Sequence, residues 1–311
     1  MELQSGYSLP IIYQAFDTEK RWHWGDRGYL FDFLYSTEAE GKKVLDFGPG
    51  DGWPSLLVAP YVKEVIGLDS SLKRVEICRE NAEKMGITNA SFKSYIAGEK
   101  LPFADNSFDA IMAASSIEQT PDPFKTLKEL HRVLKPGGRL RFRYESLNLY
   151  KEGKEKDIWV ASLGNKSRII LFDRKIEEEY VDQYGISIAL SKEDLLKRLG
   201  LKNISYDSIT IEKIKSLDSK ITGSIKCKTI HPSGRTYYRY LKEIGFKEIF
   251  PTHSGAYAAD QLYDFYEQSE TEKFSKIEGV KYVDELIKPV VKIAINLDAP
   301  IEIDPTITAI K

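Results

Sequence analysis

Three glycines at alternate positions, Gly48, Gly50 and Gly52, follow the largely apolar segment VLDF at residues 44–47. An apolar run that ends at closely spaced glycines is typical of a buried strand turning into a helix, and it lets the backbone approach a ligand closely. A dinucleotide fingerprint, G-x-G-x-x-G, needs a further glycine where this chain has Trp53. No Gly-Lys-Ser/Thr follows, as a phosphate loop requires. The turn therefore favours a ligand without a pyrophosphate.

Two acids accompany the glycine turn. Asp46 lies in the predicted first strand, KVLDF, and Asp69 ends the predicted second strand, EVIGLD. Asp46 is suited to accept hydrogen bonds from a ligand ammonium or from N–H groups of the turn, and Asp69 from both hydroxyls of a ribose. A glycine turn followed by an acid at the end of the next strand predicts a site for a nucleoside that carries an amino acid.

From residue 43 to residue 144, short apolar runs alternate with helical patterns. This alternation predicts β-α-β units and a parallel sheet. Further strands are predicted at ASFKSYIA, at FDAIMAASS (108–116) and at RLRFRY (139–144), the last polar enough to suggest one solvent-facing side. Pro54 is predicted in the first turn of the first helix, where its missing N–H is not needed.

The pattern changes after residue 150. DIWVASLGNKSRIILFD predicts a β-hairpin, and LSKEDLLKRLGLKNISYDSI predicts a helix capped by Ser191, a glycine stop and a strand. A second helix-glycine-strand pattern occurs at residues 235–250, and two further helices are predicted beyond it.

Charge and composition exclude several classes of protein. The chain has 45 basic and 47 acidic residues, a net charge of −2, which disfavours a nucleic-acid partner. Cys78 and Cys227 indicate free thiols in a reducing compartment, and no spacing of His or Cys predicts a metal site. No signal peptide precedes the first strand, and no run approaches the roughly 20 apolar residues of a membrane span. A cytoplasmic protein without a membrane partner is predicted.

Four segments in this order, VLDFGPGDG, VIGLD, LPFADNSFDAI and IEQTPDPFKTLKELHRVLKPGGRL, resemble class I S-adenosylmethionine-dependent methyltransferases. Within that class the resemblance is to the group of ubiquinone and sterol methyltransferases. It covers roughly residues 40–145 and, more loosely, 188–211. It implies an α/β fold: a Rossmann-like, doubly wound, mostly parallel seven-stranded sheet with an N-terminal helical lid and C-terminal α+β additions. It also implies S-adenosyl-L-methionine as the cofactor.

The resemblance carries cofactor-binding roles to matching positions. Asp46, Gly48 and Gly50 would lie along the methionine moiety, Gly52 at the turn into the helix, Asp69 at the ribose and Ser70 beside the adenine. The full set implied to bind the cofactor is Asp46, Gly48, Gly50, Gly52, Asp69, Ser70, Ala97, Gly98 and Ser115.

The adenine end departs from the family pattern, because Ala97 stands where family members usually have an acid. Either Glu99 substitutes for that acid, or the backbone N–H of Gly98 and apolar contacts hold the adenine.

A second departure follows the fourth strand. Family members often have a histidine after the glutamate there, whereas this chain has Glu118 followed by Gln119. Glu118 is the candidate catalytic residue, positioning or deprotonating an acceptor, and Gln119 cannot act as a base. The alternative is that Glu118 caps the next helix or pairs with a lysine.

The implied function is methyl transfer to a small-molecule acceptor. The implied organisation is an N-terminal helical cap (1–40), a cofactor-binding core (41–150), and a remainder (151–311) comprising the hairpin, the completion of the sheet and a substrate or lid region. The aromatic residues of the cap either pack a helix or cover the cofactor; they are Tyr13, Phe16, Trp22, His23 and Trp24. Two alternatives remain: a methyltransferase acting on a protein or peptide, and a non-catalytic protein that binds the cofactor or its product. The oligomeric state is not predicted.

Overall fold

A computed structural model describes residues 16–147, 149–268, 276–302 and 306–311. The strands are β1 Lys43–Phe47, β2 Glu64–Asp69, β3 Ala90–Ser94, β4 Phe108–Ala114, β5 Leu134–Arg143, β6 Leu149–Lys151, β7 Lys154–Leu163, β8 Lys166–Lys175, β9 Tyr180–Ile188, β10 Ile221–Ile230, β11 Glu248–Pro251 and β12 Thr306–Ile310. The helices are α1 Arg21–Ser36, α2 Ser55–Val58, α3 Leu72–Lys84, α4 Pro123–Val133, α5 Lys192–Arg198, α6 Ile211–Lys215, α7 Gly234–Ile244, α8 Gly255–Gln268 and α9 Lys276–Ala294.

The predicted doubly wound sheet is confirmed. Seven strands lie in the order β11-β12-β5-β4-β1-β2-β3. The pairs from β5 to β3 are all parallel, whereas β12 runs antiparallel to both of its neighbours. The strand order reverses between β1 and β4, and open α/β sheets bind ligands at the carboxyl ends of the strands beside such a point.

The chain forms two compact units. The first contains Met1–Tyr144 and Tyr238–Lys311, and the second contains Glu145–Tyr237. The seven-stranded sheet belongs to the first unit, because β11 and β12 return to it from the C-terminal part of the chain.

Helices α1, α8 and α9 pack together in the first unit. Trp24 of α1 is fully buried beside Tyr263 of α8, and the same cluster contains Val44 of β1 and Ile287 of α9. The Trp24 indole N–H donates to the carbonyl of Thr18 at 2.9 Å. Trp24 is therefore a core residue, while Tyr13 lies outside the described residues.

The predicted solvent-facing side of the fifth strand is wrong at Arg141, which is completely buried, whereas Arg139 and Arg143 on the same side are partly exposed. The Arg141 guanidinium donates to both carboxylate oxygens of Asp32 on α1, each at 2.8 Å, and to the hydroxyls of Thr252 and Thr308. Helix α1 covers this side of β5, so the arginine meets an acid instead of water. Buried charges are found with such partners because an unpaired one is strongly unfavourable.

The second unit is a five-stranded antiparallel sheet in the order β10-β9-β8-β7-β6. The predicted hairpin is confirmed as β7 and β8, and Ser191 caps α5 as predicted by accepting from the backbone N–H of Asp194. The two later strands, β9 and β10, were not predicted. Their alternation is weak, and most of the residues of β10 are exposed.

The strand predicted before residue 210 is wrong. Residues Tyr206–Ser208 form a short 3-10 turn, in which the Ser208 hydroxyl accepts from the backbone N–H of Ser205 at 2.9 Å and donates to the Ser205 carbonyl at 2.7 Å. The looser resemblance at 188–211 therefore falls in the second unit, outside the seven-stranded sheet. The second predicted helix-glycine-strand pattern, which forms α7 and β11, contributes a strand to that sheet instead.

The predictions for Pro54, for the two cysteines and for a membrane span can also be compared with the structure. Pro54 precedes α2 as its N-cap residue and does not lie in the first turn, and both cysteines are free thiols. No helix within the described ranges is long and apolar enough to cross a membrane.

Candidate functional site

A cavity of about 380 Å³ opens at the carboxyl ends of β1, β2 and β4. Its volume is within the range of small-molecule sites, about 300–1,000 Å³. We call it the glycine-loop cavity; it is lined by Phe47, Gly48, Pro49, Gly50, Asp51, Trp53, Leu68, Asp69, Ser70, Arg74, Tyr95, Ala97, Ala114, Ser115, Ser116, Gln119 and Thr120. Of the residues predicted from the sequence, Gly48, Gly50, Asp69, Ser70, Ala97 and Ser115 lie in this lining, while Asp46, Gly52, Gly98 and Glu118 lie outside it.

Gly48 lies where the loops after β1 and β4 meet. Its φ is +76°, and a Cβ there would come within 2.4 Å of the Cβ of Ser116. The Ser116 hydroxyl donates to the carbonyl of Phe47 at 2.6 Å, which ties the two loops together. Both the backbone conformation and the space thus require glycine at this position.

Replacing Gly48 with alanine is expected to destabilise the protein and to weaken ligand binding in the glycine-loop cavity. Gly41 is a matched control, because its φ is +67° and a Cβ there would meet nothing within 4 Å. Both variants bear the same backbone strain, but only Gly48→Ala adds a clash, which costs about 1–3 kcal/mol more. Urea unfolding checks this difference; equal free energies of unfolding for the two variants would contradict it.

Asp69 ends β2 with its carboxylate on the edge of the cavity. Its oxygens accept from the backbone N–H of Ser71 at 2.9 Å and of Gly50 at 3.3 Å. Burial raises the pKa of Asp69, while the N–H of Ser71 and the Arg74 guanidinium oppose the rise. A buried carboxylate that already orders the glycine loop is suited to accept further hydrogen bonds from ligand hydroxyls.

Asp46 is fully buried beneath the loop and does not reach the cavity. One carboxylate oxygen accepts from the backbone N–H of Ser55 at 3.1 Å and from its hydroxyl at 2.5 Å. Burial raises the pKa of Asp46 to about 7, although these hydrogen bonds lower it. The sequence left open whether Asp46 binds a ligand ammonium or N–H groups of the protein. The structure shows hydrogen bonds to the protein, and through Ser55 they fix the start of α2.

The far end of the cavity contains Tyr95 and Ala97. Neither Gly98 nor Glu99 lines it, since both border a separate small cavity beside α4. Among the described residues, no acid therefore takes the place of the family's usual one at Ala97.

The loop after β4 contributes the opposite wall. Ser115 has a φ of +49°, a strained value for a residue with a Cβ, and such strain concentrates at functional sites. Gln119 lines the cavity and donates to the Ser115 carbonyl at 2.5 Å, whereas Glu118 is only 7% exposed and outside the lining.

Several lining residues were not predicted as ligand contacts. Arg74 is the third residue of α3 and Tyr95 lies just beyond β3, whereas Trp53 was considered as the residue that breaks the dinucleotide fingerprint. Their proximity to strand ends is a signal visible in the sequence. Which side chains face the cavity depends on the helix and strand orientations, which the pattern does not specify.

A second cavity, of about 530 Å³, is also part of the first unit. We call it the Trp22 cavity; it is lined by Trp22, Gly25, Asp26, Tyr29, Arg143, His253, Ser254, Ala256, Tyr257, Asp260 and Thr306. The Tyr29 ring packs edge-on against Trp53 with the centroids 5.0 Å apart. Because Trp53 lines the glycine-loop cavity, this ring contact links the walls of the two cavities.

Comparison with known proteins identifies methyltransferases by family model and by sequence similarity. Residues 45–142 match a family model described as a methyltransferase domain. An uncharacterized methyltransferase of Bacillus subtilis is 40% identical over 31% of this chain and 38% of its own length. A ubiquinone/menaquinone biosynthesis C-methyltransferase of Rickettsia prowazekii is 31% identical over 58% of this chain and 76% of its own length. A sterol 24-C-methyltransferase of Aspergillus fumigatus is 37% identical over 32% of this chain and 26% of its own length.

The extent of these matches differs among relatives. The chain spans between 26% and 51% of the length of seven of the curated relatives that it matches. The chain spans 76% of the Rickettsia protein.

Proposed function

The chain belongs to the class I S-adenosylmethionine-dependent methyltransferases, in the ubiquinone/sterol-like group, and from that premise we propose that it methylates a small-molecule acceptor. The observation that carries the proposal is the pair of cavities whose walls meet at Tyr29 and Trp53. One is shaped for a nucleoside by the glycine loop and Asp69, and the other, at about 530 Å³, has the size of a small-molecule site.

The residues of the glycine-loop cavity fit S-adenosylmethionine. Gly48 and Gly50, with φ of +76° and +62°, expose backbone along which the methionine part would lie. Asp69 would accept from the ribose hydroxyls, and Ser70, Tyr95 and Ala97 would surround the adenine. Asp46 and Gly52 lie outside the cavity lining. Each accepts a hydrogen bond from a backbone N–H at the start of α2, and these bonds hold the end of the glycine loop in place.

The cofactor supplies an activated methyl group on a sulfonium, so the protein's task is alignment. Holding an acceptor in line with the methyl group and excluding water accounts for much of the rate in such a reaction. Trp53 supplies an apolar aromatic wall to the glycine-loop cavity next to the Trp22 cavity, and an aromatic face suits a sulfonium.

The proposal is tested with methyl-labelled S-adenosylmethionine. The purified protein is incubated with a fractionated extract, and label is followed separately into small molecules, protein and RNA. Label in the small-molecule fraction supports the proposal. Label only in protein would support a peptide acceptor, and cofactor binding without any transfer would support the non-catalytic alternative.

Glu118 remains the candidate positioning residue from the sequence. It lies in the turn Ile117–Gln119, directly before cavity residues Gln119 and Thr120, so its effect would act through their placement. Glu118→Gln is expected to leave cofactor binding unchanged and to lower turnover. Turnover equal to that of the wild type would remove Glu118 from the site.

A further inference from the structure

The Trp22 cavity combines three aromatic side chains with charged groups of both signs. Trp22 and Tyr29 come from α1, and Tyr257 from the first turn of α8. Arg143 and Thr306 are paired neighbours where β5 ends and β12 begins. The cavity therefore lies at the same carboxyl edge of the sheet as the glycine loop.

Arg143 is the last of three arginines that alternate along one side of β5. The first, Arg139, pairs with Glu38 at 2.6 Å, and the second, Arg141, pairs with Asp32 at 2.8 Å. The Arg143 guanidinium lies over the Tyr29 ring, 5.5 Å from its centroid, and no residue in the described ranges forms an ion pair or hydrogen bond with it.

An arginine that lines a cavity, and whose guanidinium has no ion pair or hydrogen bond among the described residues, is a ready site for an anion although Asp26 and Asp260 line the same cavity. Guanidinium groups bind carboxylates through two parallel hydrogen bonds, and that geometry adds both affinity and orientation. The aromatic side chains around Arg143 offer flat apolar surfaces that suit a ring. Together they indicate a ligand that is a planar ring with an anionic group.

Asp26 contributes a carboxylate to the same cavity, on the side facing Trp53. Burial raises the pKa of Asp26 to about 6, and the side chains of Trp53 and Arg27 partly oppose the rise. Asp51 raises it further. The other titratable or charged groups that line this cavity are Tyr29, Arg143, His253, Tyr257 and Asp260. A carboxylate with this pKa is ionised at neutral pH and well matched for accepting a proton.

We propose that the Trp22 cavity binds the methyl acceptor, that the acceptor is a small aromatic acid with a hydroxyl group, and that Arg143 holds its anionic group while Asp26 accepts the hydroxyl proton. This inference rests on the proposed methyltransferase function. In the reaction, the hydroxyl oxygen forms a bond to the methyl carbon as the carbon–sulfur bond breaks. The electron pair of that bond stays on sulfur, which becomes a neutral thioether. The proton passes to the Asp26 carboxylate and then to water.

The first test measures binding of 4-hydroxybenzoate and of the uncharged 4-hydroxybenzamide to the whole protein saturated with S-adenosylhomocysteine. The acid is expected to bind roughly tenfold or more tightly than the amide, because only the acid pairs with a cation. Arg143→Gln should abolish this preference. Arg139→Gln, the same change on the same side of β5 but outside the cavity, should preserve it.

Equal binding of the two compounds to the wild type, or no binding of the acid, would overturn the inference. The same titrations separate its failure from that of the proposed function. Binding of S-adenosylhomocysteine without binding of the acid contradicts the inference alone, whereas no binding of S-adenosylhomocysteine contradicts the cofactor site.

The second test follows methylation of the 2-, 3- and 4-hydroxybenzoates as a function of pH. Because the pKa of Asp26 is raised to about 6, the base is protonated and inactive below that pH. The wild-type kcat/KM should therefore rise about tenfold per pH unit up to pH 6 and then level off. Asp26→Asn should lose this rise and reduce kcat about 10²-fold or more, while retaining hydroxybenzoate binding. Binding of the acids without methylation of any isomer, or an unchanged pH profile in Asp26→Asn, would contradict the assignment.

Discussion

Arg141→Met is expected to lower the free energy of unfolding by about 3–5 kcal/mol, because it leaves a buried carboxylate without its partner. Asp32 is 1% exposed and also accepts from the backbone N–H of Gly255 at 2.6 Å. One carboxylate thus joins α1 to β5 and to the first residue of α8. Urea unfolding of the wild type and the variant measures the loss.

Arg139→Met is the control for this prediction. Arg139 lies on the same side of β5, but its partner Glu38 is exposed, so the pair contributes only about 0–1 kcal/mol. In a double variant, Asp32→Leu combined with Arg141→Met should recover part of the loss, since no buried charge then remains. A loss for Arg141→Met no larger than for Arg139→Met would show that the ion pair does not anchor α1.

Asp69→Ala is expected to weaken S-adenosylmethionine binding by about 2–4 kcal/mol, or roughly 30- to 1,000-fold. The substitution removes the carboxylate that would accept from the ribose. It also releases the Gly50 N–H that Asp69 holds at 3.3 Å, so the glycine loop loses its anchor to β2. Equilibrium dialysis with labelled cofactor measures the change.

Asp122→Ala is the matched control for Asp69→Ala. Asp122 likewise accepts from a backbone N–H at the start of a helix, that of Lys125 at 2.9 Å, but it lies outside the cavity lining. It should reduce stability by about 1 kcal/mol without changing the dissociation constant of the cofactor. If both variants bind as tightly as the wild type, Asp69 does not contact the cofactor.

Much of the sheet was predictable because its signals are local. The apolar run before Gly48, the acid ending β2 and the glycine stop after α7 each identify an element boundary without tertiary information. The order of the strands then follows from the β-α-β alternation and from the family resemblance. Six of the nine implied cofactor residues line one cavity for the same reason, since they lie at or just beyond strand ends.

The remaining features depend on contacts between distant segments. Arg141 has the appearance of a surface residue until α1, more than one hundred positions earlier, covers it with Asp32. The Trp22 cavity takes Asp26 from α1, Arg143 from β5 and Tyr257 from α8, and no sequence motif links these residues. In the second unit the missed feature is local, because hydrogen bonds between Ser205 and Ser208, three residues apart, close a turn where alternation alone predicts a strand.

The central claim is that the glycine-loop cavity is a site for S-adenosylmethionine, and titration calorimetry of the wild-type protein tests it most directly. S-adenosylmethionine and S-adenosylhomocysteine should each bind saturably at one site per chain and compete with each other, because they share the ribose and the amino acid that the loop contacts. Absence of a saturable binding heat for both compounds, with the protein shown to be folded, would contradict the claim.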